Sequence, residues 1–519
     1  MTDIRVLWID DEIDLLKPHV MFLQAKGYEV FTLNNGVDAV ETLQKQPADI
    51  VFLDEQMPGL SGMETLSKIK EAFPTLPVVM VTKSEEERIM DEAIGSKISD
   101  YLLKPVNPGQ ILLSIKKLLE SKRLENEKST SAYQQEFREI SASLSPQLSY
   151  KEWENIYRKL VFWEMELSAS DDGSIRETLQ SQRDEANLLF GKFVEQNYRD
   201  FLKKGSDNDF EMSHFLLQKK LFPLLDAENP VFFILIDNLR YDHWRVLQQK
   251  MQPYLKTLSE ETYMAILPSV TQYARNSLFA GLMPLEIMRK YPQYWVGEDS
   301  DEYKNQFEKE LLEEYLKRHG KNIPFNYYKV LNQSYGTKIL DYLPKMLKTP
   351  LNVIIYNFVD MFSHASTEVE LLREMAYDDA AYRSLVGSWF EHSPLLDLIR
   401  NLAGEKATVV ITTDHGSIRI SDPVRIKGDR ETSPNLRYKS GRILDYNAKE
   451  VFEVRNPEEI FLPKTNLSSS FVFCKQNDFF VYPNNYNQYV AYYKNTCLVY
   501  KSPSRRDKGE YRMRSSAGL

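Results

Sequence analysis

Residues 5–12 read RVLWIDDE and residues 50–59 read IVFLDEQMPG. In both stretches four consecutive apolar residues end in carboxylates, which is typical of a buried strand whose last residues emerge at the edge of a parallel sheet. Similar apolar runs lie at 78–81 and 101–103, and the stretches between them have helical spacing. This alternation predicts a parallel sheet with helices on both faces over residues 1–120.

The rest of the chain changes character twice. Residues 121–220 contain few Gly and many Glu, Lys, Gln and Leu, so we expect a helical bundle or linker there. From 221 to 519 strand-like and helical stretches alternate again, with strands predicted in NPVFFILID, LNVIIYNFVD and ATVVITTDHG. This pattern predicts a second parallel sheet with its functional residues at the strand ends. Residues 297–345 are rich in Glu, Lys and Tyr and are predicted to be a helical insertion over that site.

Composition limits the classes of function. A chain of 519 residues is long enough for two or three domains. The net charge of -10 and the lack of a recognisable terminal helix-turn-helix disfavour a DNA-binding transcription factor. Only Cys474 and Cys497 are present, too few for a disulfide framework or a thiolate cluster. The acidic start MTDIRVLWIDDE and the lack of an apolar run near 20 residues predict a cytoplasmic protein without a membrane span.

Polar residues are predicted to meet at one edge of the first sheet. They are Asp10 and Asp11 after the first strand, Asp54 after the third, Thr82 after the fourth and Lys104 after the fifth. Carboxylate groups that lie close together provide oxygen ligands suited to Mg²⁺. A carboxylate beside Mg²⁺ can attack a phosphoryl donor while Lys104 and Thr82 bind the phosphoryl oxygens, which makes Asp54 the predicted acceptor. Each acid alone could instead cap a helix or end a strand.

The motifs WIDDE, LDEQMPG, VTKS and DYLLKPV, in this order, resemble the receiver domains of response regulators. The resemblance implies a flavodoxin-like sheet and phosphorylation of Asp54 by a sensor histidine kinase. It also implies that the backbone carbonyl of Gln56 joins the three aspartates in holding Mg²⁺. Tyr101 would be an aromatic switch that turns inward when Thr82 moves toward the phosphoryl group. The alternative for Tyr101 is a ring packed at the edge of the sheet.

A second set of polar residues follows the strands of the second sheet. Its members are Asp237, Thr271, Asp360, His364, Asp414 and His415. Mixed carboxylate and imidazole ligands suit Zn²⁺ or Mn²⁺ better than Mg²⁺ or Ca²⁺. Two such ions would activate the Thr271 hydroxyl for in-line hydrolysis of a phosphoryl ester. Taken singly, Asp237 could be a strand-end cap and Thr271 the N-cap of a helix.

The order Asp, Thr, Asp-x-x-x-His, Asp-His-Gly resembles the alkaline-phosphatase superfamily, and IDNLRYDHW and SVTQYARNSLFAGL resemble its PglZ domain. The resemblance implies that Thr271 is the nucleophile. One Zn²⁺ would then be held by Asp237, Thr271, Asp414 and His415. The other would be held by Asp360, His364 and a third His near the C-terminus. Arg275 and Asn276, one turn after Thr271, are predicted to bind substrate phosphate, although an Arg there can equally be structural.

The end of the sequence departs from the family. None of the seven His residues lies in the last hundred residues, where the family supplies the third ligand. From about residue 497 the chain reads CLVYKSPSRRDKGEYRMRSSAGL. We therefore expect this ending to be altered, by a shifted reading frame or a changed terminus, and the second metal to have an open position.

A receiver, a helical section and a PglZ domain in this order resemble a family of response regulators associated with the type IX secretion system of Bacteroidetes. The resemblance implies a zinc-dependent phosphodiesterase acting on cyclic and linear oligonucleotides. It also implies binding to an extracytoplasmic-function sigma factor and to secretion-motor proteins, and a homodimer favoured by phosphorylation or metal. The alternative is a signalling adaptor whose output domain binds these proteins with little or no catalysis.

Overall fold

The computed structural model describes residues 4–74, 76–83, 98–168, 173–205, 208–297, 300, 303–429, 432–464, 468–494 and 496–498. The chain divides into two compact units, residues 1–136 and 137–519. Among the described residues, no helix is both long and apolar enough to cross a lipid bilayer.

The first unit is built on a five-stranded parallel sheet in the order β2-β1-β3-β4-β5. The strands are β1 (Arg5–Ile9), β2 (Glu29–Leu33), β3 (Ile50–Asp54), β4 (Val78–Thr82) and β5 (Asp100–Leu103). Its helices are α1 (Lys17–Ala25), α2 (Ala39–Lys45), α3 (Gly62–Ala72) and α4 (Pro108–Ile115). This strand order is that of flavodoxin-like domains, so the predicted fold class is confirmed.

Helices cover both faces of this sheet because its central strands are apolar on both sides. In β1, Trp8 packs in one buried cluster with Phe52, whereas Leu7 packs in the other with Leu53. Helix α3 starts after Ser61, whose hydroxyl accepts from the Glu64 backbone N–H while the Glu64 carboxylate accepts from the Ser61 N–H. These constraints fix the strand ends, where the polar residues lie.

Three long helices form the middle of the sequence. They are α5 (Ser121–Ser143), α6 (Tyr150–Leu167) and α7 (Gly173–Lys204). Helix α6 begins with a reciprocal cap between Ser149 and Glu152. Its buried residues recur every three or four positions, and Trp153 meets Phe190 of α7 with ring centroids 5.5 Å apart. The predicted helical middle section is therefore confirmed.

The second parallel sheet has the order β7-β8-β6-β9. Its strands are β6 (Val231–Ile236), β7 (Phe325–Val330), β8 (Leu351–Tyr356) and β9 (Thr408–Thr412). The helices around it are α8 (Tyr241–Met251), α9 (Thr271–Ala280), α10 (Pro284–Lys290), α11 (Glu308–Arg318), α12 (Gln333–Leu340), α13 (Leu343–Met346), α14 (Phe358–Glu368), α15 (Glu370–Met375), α16 (Asp379–Glu391) and α17 (Pro394–Leu402). Successive β6 residues face opposite helix layers: Ile234 packs with Phe390, and Phe233 packs with Leu278.

Three small sheets follow β9. Their strands are β10 (Ile418–Arg419), β11 (Asp422–Lys427), β12 (Tyr438–Gly441), β13 (Asp445–Tyr446), β14 (Val451–Val454), β15 (Ser470–Cys474), β16 (Asp478–Val481) and β17 (Cys497–Leu498), with helix α18 (Tyr486–Tyr493) between the last two. The predicted helical insertion over 297–345 also contains strand β7, so this prediction is wrong at Phe325–Val330. Short 3₁₀ and π turns lie at Ile13–Leu16, Lys116–Glu120, Ser213–Phe215, Leu217–Leu221, Phe222–Asp226, Pro292–Tyr294, Pro457–Ile460 and Pro483–Asn485.

Candidate metal-binding and phosphoryl-acceptor sites

The first candidate site lies at the carboxyl ends of β1, β3 and β5. The Nζ atom of Lys104 lies 2.9 Å from Oδ2 of Asp10 and 3.0 Å from Oδ1 of Asp54. Asp10 and Asp54 are buried, whereas Asp11 is exposed, and the three offer carboxylate oxygens within 4.8 Å of one another. Three converging carboxylates and one ammonium group suit a hard divalent cation such as Mg²⁺.

The charges of this site are only partly compensated. Burial raises the pKa of Asp54 to about 6, the Lys104 hydrogen bond opposes this shift, and Asp10 adds to it. Although burial disfavours its charge, hydrogen bonds to Asp10 and Asp54 raise the pKa of Lys104. A cation held by the carboxylates would relieve their repulsion and favour the ionised form of Asp54.

The other predicted receiver residues lie around this centre. Thr82 is buried at the end of β4, and its hydroxyl donates a hydrogen bond to the Glu55 carboxylate. Gln56 is exposed in the loop that follows β3. Tyr101 is 39% exposed. Its ring therefore lies outward, the position that the switch interpretation assigns to a receiver whose Thr82 has not moved.

The second candidate site gathers residues from the ends of adjacent strands. Asp237 follows β6, Asp414 and His415 follow β9, and Thr271 is the first residue of α9. The Nε2 atom of His415 lies 2.9 Å from Thr271 Oγ1, 3.4 Å from Asp237 Oδ1 and 3.7 Å from Asp414 Oδ2. The two aspartates and His415 are buried, whereas Thr271 is half-buried. These four sequence-predicted residues therefore share one centre.

The hydrogen bonding of His415 is compatible with a role as a metal ligand. Its Nδ1 lies 3.2 Å from the Gly416 carbonyl oxygen. Since a carbonyl only accepts, Nδ1 carries the proton in the neutral ring, and Nε2 has its lone pair free for a metal ion. Against the effect of burial, Asp414 and Asp237 raise the pKa of His415.

Arg275 lies behind the carboxylates and is fully buried. Its Nε lies 2.9 Å from Asp414 Oδ2, one terminal nitrogen pairs with Asp237, and Nη1 lies 3.5 Å from Glu308 Oε1. Burial raises the pKa of Asp237, against the effect of Arg275, and Asp414 adds to the rise. Arg275 instead holds the pKa of Asp414 low, although burial opposes this.

Asn276 is also directed at protein groups. It donates to the Lys304 carbonyl oxygen at 3.2 Å and accepts from Asn305 at 3.1 Å. Arg275 and Asn276 thus make buried contacts within the chain, and their assignment to substrate phosphate stays a prediction.

Asp360 and His364 lie one turn apart in α14. Their Oδ2 and Nε2 atoms are 3.5 Å apart, and the His364 side chain is 39% exposed. The Oδ1 atoms of Asp360 and Asp237 are buried and accept no hydrogen bond from the described residues, which fits oxygens that await a cation. Among those residues, no third His, Cys or carboxylate joins the Asp360/His364 pair. The last hundred residues contain no His to serve as the third ligand, and the atypical tail beyond Leu498 lies outside the described residues.

Some residues of this site were not predicted. The Asn357 amide donates to Asp237 Oδ2 at 2.9 Å. Asn238 has φ +62°, in the left-handed region that Asn tolerates, and its buried amide has no hydrogen-bond partner among the described residues. Glu308 pairs with both Arg275 and Lys329. Asn238 and Asn357 could have been noticed in the sequence, because each lies within two residues of the end of a predicted strand. Nothing in the sequence pointed to Glu308.

Comparison with known families supports the same division. The model for the BREX system PglZ alkaline phosphatase-like domain matches residues 216–493. The model for the PorX response regulator linker domain matches residues 123–202, and that for the response regulator receiver domain matches residues 6–116. The architecture predicted from the sequence is therefore confirmed.

Curated relatives match about 120 residues of this chain. The alginate biosynthesis transcriptional regulatory protein AlgB of Pseudomonas putida is 34% identical over 120 residues, 23% of this chain and 27% of AlgB. The probable transcriptional regulatory protein TcrX of Mycobacterium tuberculosis is 32% identical over 118 residues, 22% of this chain and 50% of TcrX. The chain thus spans between about a quarter and a half of these relatives. The chemotaxis protein CheY4 of Vibrio cholerae is 28% identical, covering 23% of this chain and 100% of that chain, with a TM-score of 0.22.

Proposed function

Because this chain belongs to the PglZ alkaline-phosphatase-like family and carries a response regulator receiver domain, we propose that it is a phosphorylation-controlled phosphodiesterase. Its substrates are cyclic and linear oligonucleotides, and its metals are Mg²⁺ in the receiver and Zn²⁺ or Mn²⁺ in the output domain. The proposed boundaries are 1–120 for the receiver, 121–220 for the helical linker and 221–519 for the output domain.

The contact between Thr271 and His415 carries this proposal. Their Oγ1 and Nε2 atoms are 2.9 Å apart at a centre that also holds two buried carboxylates. A bound Zn²⁺ or Mn²⁺ would supply Lewis acidity that favours the Thr271 alkoxide and offsets phosphate charge. Asp237, Asp414 and His415 are the residues to hold it, together with Thr271 itself. Asp360 and His364 would hold the second ion, less tightly.

In the proposed reaction the Thr271 oxygen attacks the phosphorus and the ester oxygen leaves with a proton. Water then cleaves the phosphothreonine and restores the hydroxyl. Asn357 orients Asp237 through its hydrogen bond, and Arg275 keeps Asp237 and Asp414 together. Arg275 and Asn276 keep their predicted substrate role only if the site rearranges, because both contact protein groups.

In the receiver, Asp54 accepts a phosphoryl group from a sensor histidine kinase, and Lys104 and Thr82 bind its oxygens. Tyr101 then turns inward. Phosphorylation or metal favours a homodimer, and the output acts in the cytoplasm on type IX secretion through an extracytoplasmic-function sigma factor and a motor protein. The support for these finer assignments is the Lys104 pairing with Asp10 and Asp54 and the resemblance in domain order.

Hydrolysis of bis(4-nitrophenyl) phosphate with added Zn²⁺ tests the catalytic proposal. Thr271→Ala is expected to lower the rate on the order of 10³-fold or more, because it removes the attacking oxygen. Thr271→Ser keeps a hydroxyl and should retain measurable turnover. Metal content is measured in both variants to separate loss of the nucleophile from loss of the ion. Equal rates in Thr271→Ala and the parent would remove the enzyme proposal.

The second candidate is the signalling adaptor. It is favoured by one observation, that the Asp360/His364 pair has no third ligand of the usual types among the described residues. If the parent hydrolyses the phosphodiester no faster than Thr271→Ala at saturating Zn²⁺, while acetyl phosphate still changes its oligomeric state, the adaptor is the better description.

A further inference from the structure

A cavity of about 840 Å³ lies within the second unit, where α6 and α7 meet the output domain. Ligand pockets commonly have this size and often lie where domains meet. Arg240, Ser269 and Ser417 line it, and they lie within three residues of Asp237, Thr271 and His415 respectively. The lining residues do not include the metal-centre residues themselves. The cavity is therefore a separate space that adjoins all three loops of the metal centre.

The described residues that line this cavity carry more carboxylates than cations, and each of its arginines is already paired with an acid. Its three arginines are Arg183, Arg240 and Arg419. Arg183 pairs with Glu164 at 2.7 Å, Arg240 with Asp242 at 2.6 Å and with Asp379 at 2.9 Å, and Arg419 with Asp379 at 3.5 Å. No lysine lines it. An anionic ligand such as a phosphate would therefore have to compete with acids for each of these arginines, which argues against an anionic occupant.

Aromatic rings form much of the wall. They belong to Tyr150, Trp153, Tyr157, Phe190, Tyr198 and Tyr263. Tyr157 is 47% exposed, and its hydroxyl has no hydrogen-bond partner among the described residues. Exposed rings of this kind stack with planar heteroaromatic ligands.

Two amides of the wall offer a matched donor and acceptor. Asn187 Nδ2 donates to Asn477 Oδ1 at 3.2 Å, and both residues line the cavity. This leaves Asn187 Oδ1 as an acceptor and Asn477 Nδ2 as a donor, neither satisfied within the described part of the chain. A neighbouring donor and acceptor is the pattern that the edge of a nucleobase complements.

We infer that this cavity binds an uncharged heteroaromatic ring, a nucleobase or nucleoside, at the junction of the helical section and the metal-bearing loops. The inference goes beyond the proposed phosphodiesterase, since a nucleoside contains no ester to cleave. Bound there, it stabilises α6 and α7 against the loops that carry Asp237, Thr271 and His415.

Equilibrium dialysis of the full chain with adenosine in EDTA tests this site without any contribution from metal-dependent hydrolysis. The expected result is saturable binding of one adenosine per chain, with inorganic phosphate unable to compete. Tyr157→Ala should weaken binding about tenfold, the effect of losing one base–aromatic stack. Asn187→Leu, which removes the amide, should weaken it to a similar degree.

Matched variants locate the binding. Phe162→Ala removes another exposed ring of α6 that does not line the cavity, and it should leave binding unchanged. Tyr157→Phe keeps the ring and should bind nearly as the parent does. Asp414→Ala should also bind adenosine normally. No saturable binding at the solubility limit, displacement by phosphate, or loss in Asp414→Ala with retention in Tyr157→Ala would each overturn the inference, whatever the phosphodiesterase assay gives.

Discussion

The Nε atom of Arg275 lies 2.9 Å from Oδ2 of Asp414, and neither side chain is exposed. The same guanidinium pairs with Asp237 and approaches Glu308, so one buried cation serves three carboxylates. Lys329 also pairs with Glu308, so the carboxylates that depend most on Arg275 are Asp237 and Asp414. Arg275 holds Asp237 and Asp414 together, and a divalent cation would neutralise the negative charge that Arg275 leaves uncompensated.

Replacing Arg275 by Met should destabilise the metal-free protein by about 3–5 kcal/mol, because it leaves buried carboxylates uncompensated. Saturating Zn²⁺ should restore part of this loss. Urea unfolding with and without Zn²⁺ measures both effects. The control is Arg289→Met, which breaks an exposed pair with Glu458 and should cost less than about 1 kcal/mol. Similar losses in the two variants would show that Arg275 is not the internal counter-charge.

Metal content should divide into one tight and one weak ion per chain. The tight ion belongs to the centre of Asp237, Asp414 and His415, and the weak one to Asp360 and His364, because fewer ligands give lower affinity. Asp414→Ala should lose the tight ion, whereas His364→Ala should keep it. Dialysis followed by elemental analysis measures both. Two ions that survive dialysis in the parent and fall to one in His364→Ala would contradict this ranking.

Acidity should stabilise the metal-free receiver through Asp54. Its pKa is raised to about 6, mainly by burial, so between about pH 4 and pH 6 the folded state binds more protons than the unfolded state. The free energy of unfolding contributed by this group therefore falls as pH rises through that window. Asp54→Asn should raise the free energy of unfolding by about 1–3 kcal/mol at pH 7. Hydrogen exchange of the Val51–Leu53 amides measures this effect, and exchange should be slower in Asp54→Asn than in the parent.

Two comparisons make the Asp54 prediction specific. Mg²⁺ should stabilise the parent receiver much more than the Asp54→Asn receiver, since the cation acts on the carboxylate. Asp14→Asn, at an exposed acid paired with Lys17, should leave exchange of these amides unchanged. A faster exchange in Asp54→Asn than in the parent would refute the sign of the effect.

Gly62 should be required for phosphorylation of Asp54. A Cβ at this position would lie 2.2 Å from the Asp54 carbonyl oxygen and 2.7 Å from Glu55 Cα, so Gly62→Ala must push the acceptor loop away. Labelling by acetyl phosphate should fall at least about tenfold, since small displacements of a reacting group have large effects on rate. Gly191→Ala, in α7 with open space around it, should label normally and gain about 0.5–1 kcal/mol of stability. Normal labelling of Gly62→Ala would show that the loop accommodates the added Cβ without displacing Asp54.

The two sites could be predicted from sequence because the carboxyl ends of parallel strands lie at the same edge of a sheet, and polar residues follow those ends. Asp237 and Asp414 are far apart in the chain but follow the neighbouring strands β6 and β9. Strand β7 was missed because FNYYKV is half-buried and carries polar residues, so it lacks the apolar run that marks β6. The ion pairs of Arg275 depend on how α9 packs, and local spacing does not encode that. From the sequence, Arg275 could either bind substrate phosphate or have a structural role.

The strand order of the second sheet has a consequence for how the protein is made. A ribosome finishes β6, β7 and β8 long before it makes β9, yet β9 is the strand that pairs with the free side of β6. Until then the nascent chain presents an apolar edge with unsatisfied backbone groups, which invites pairing with other chains. A translation product interrupted before Thr408 would therefore lack Asp414 and His415 and be prone to aggregation or degradation.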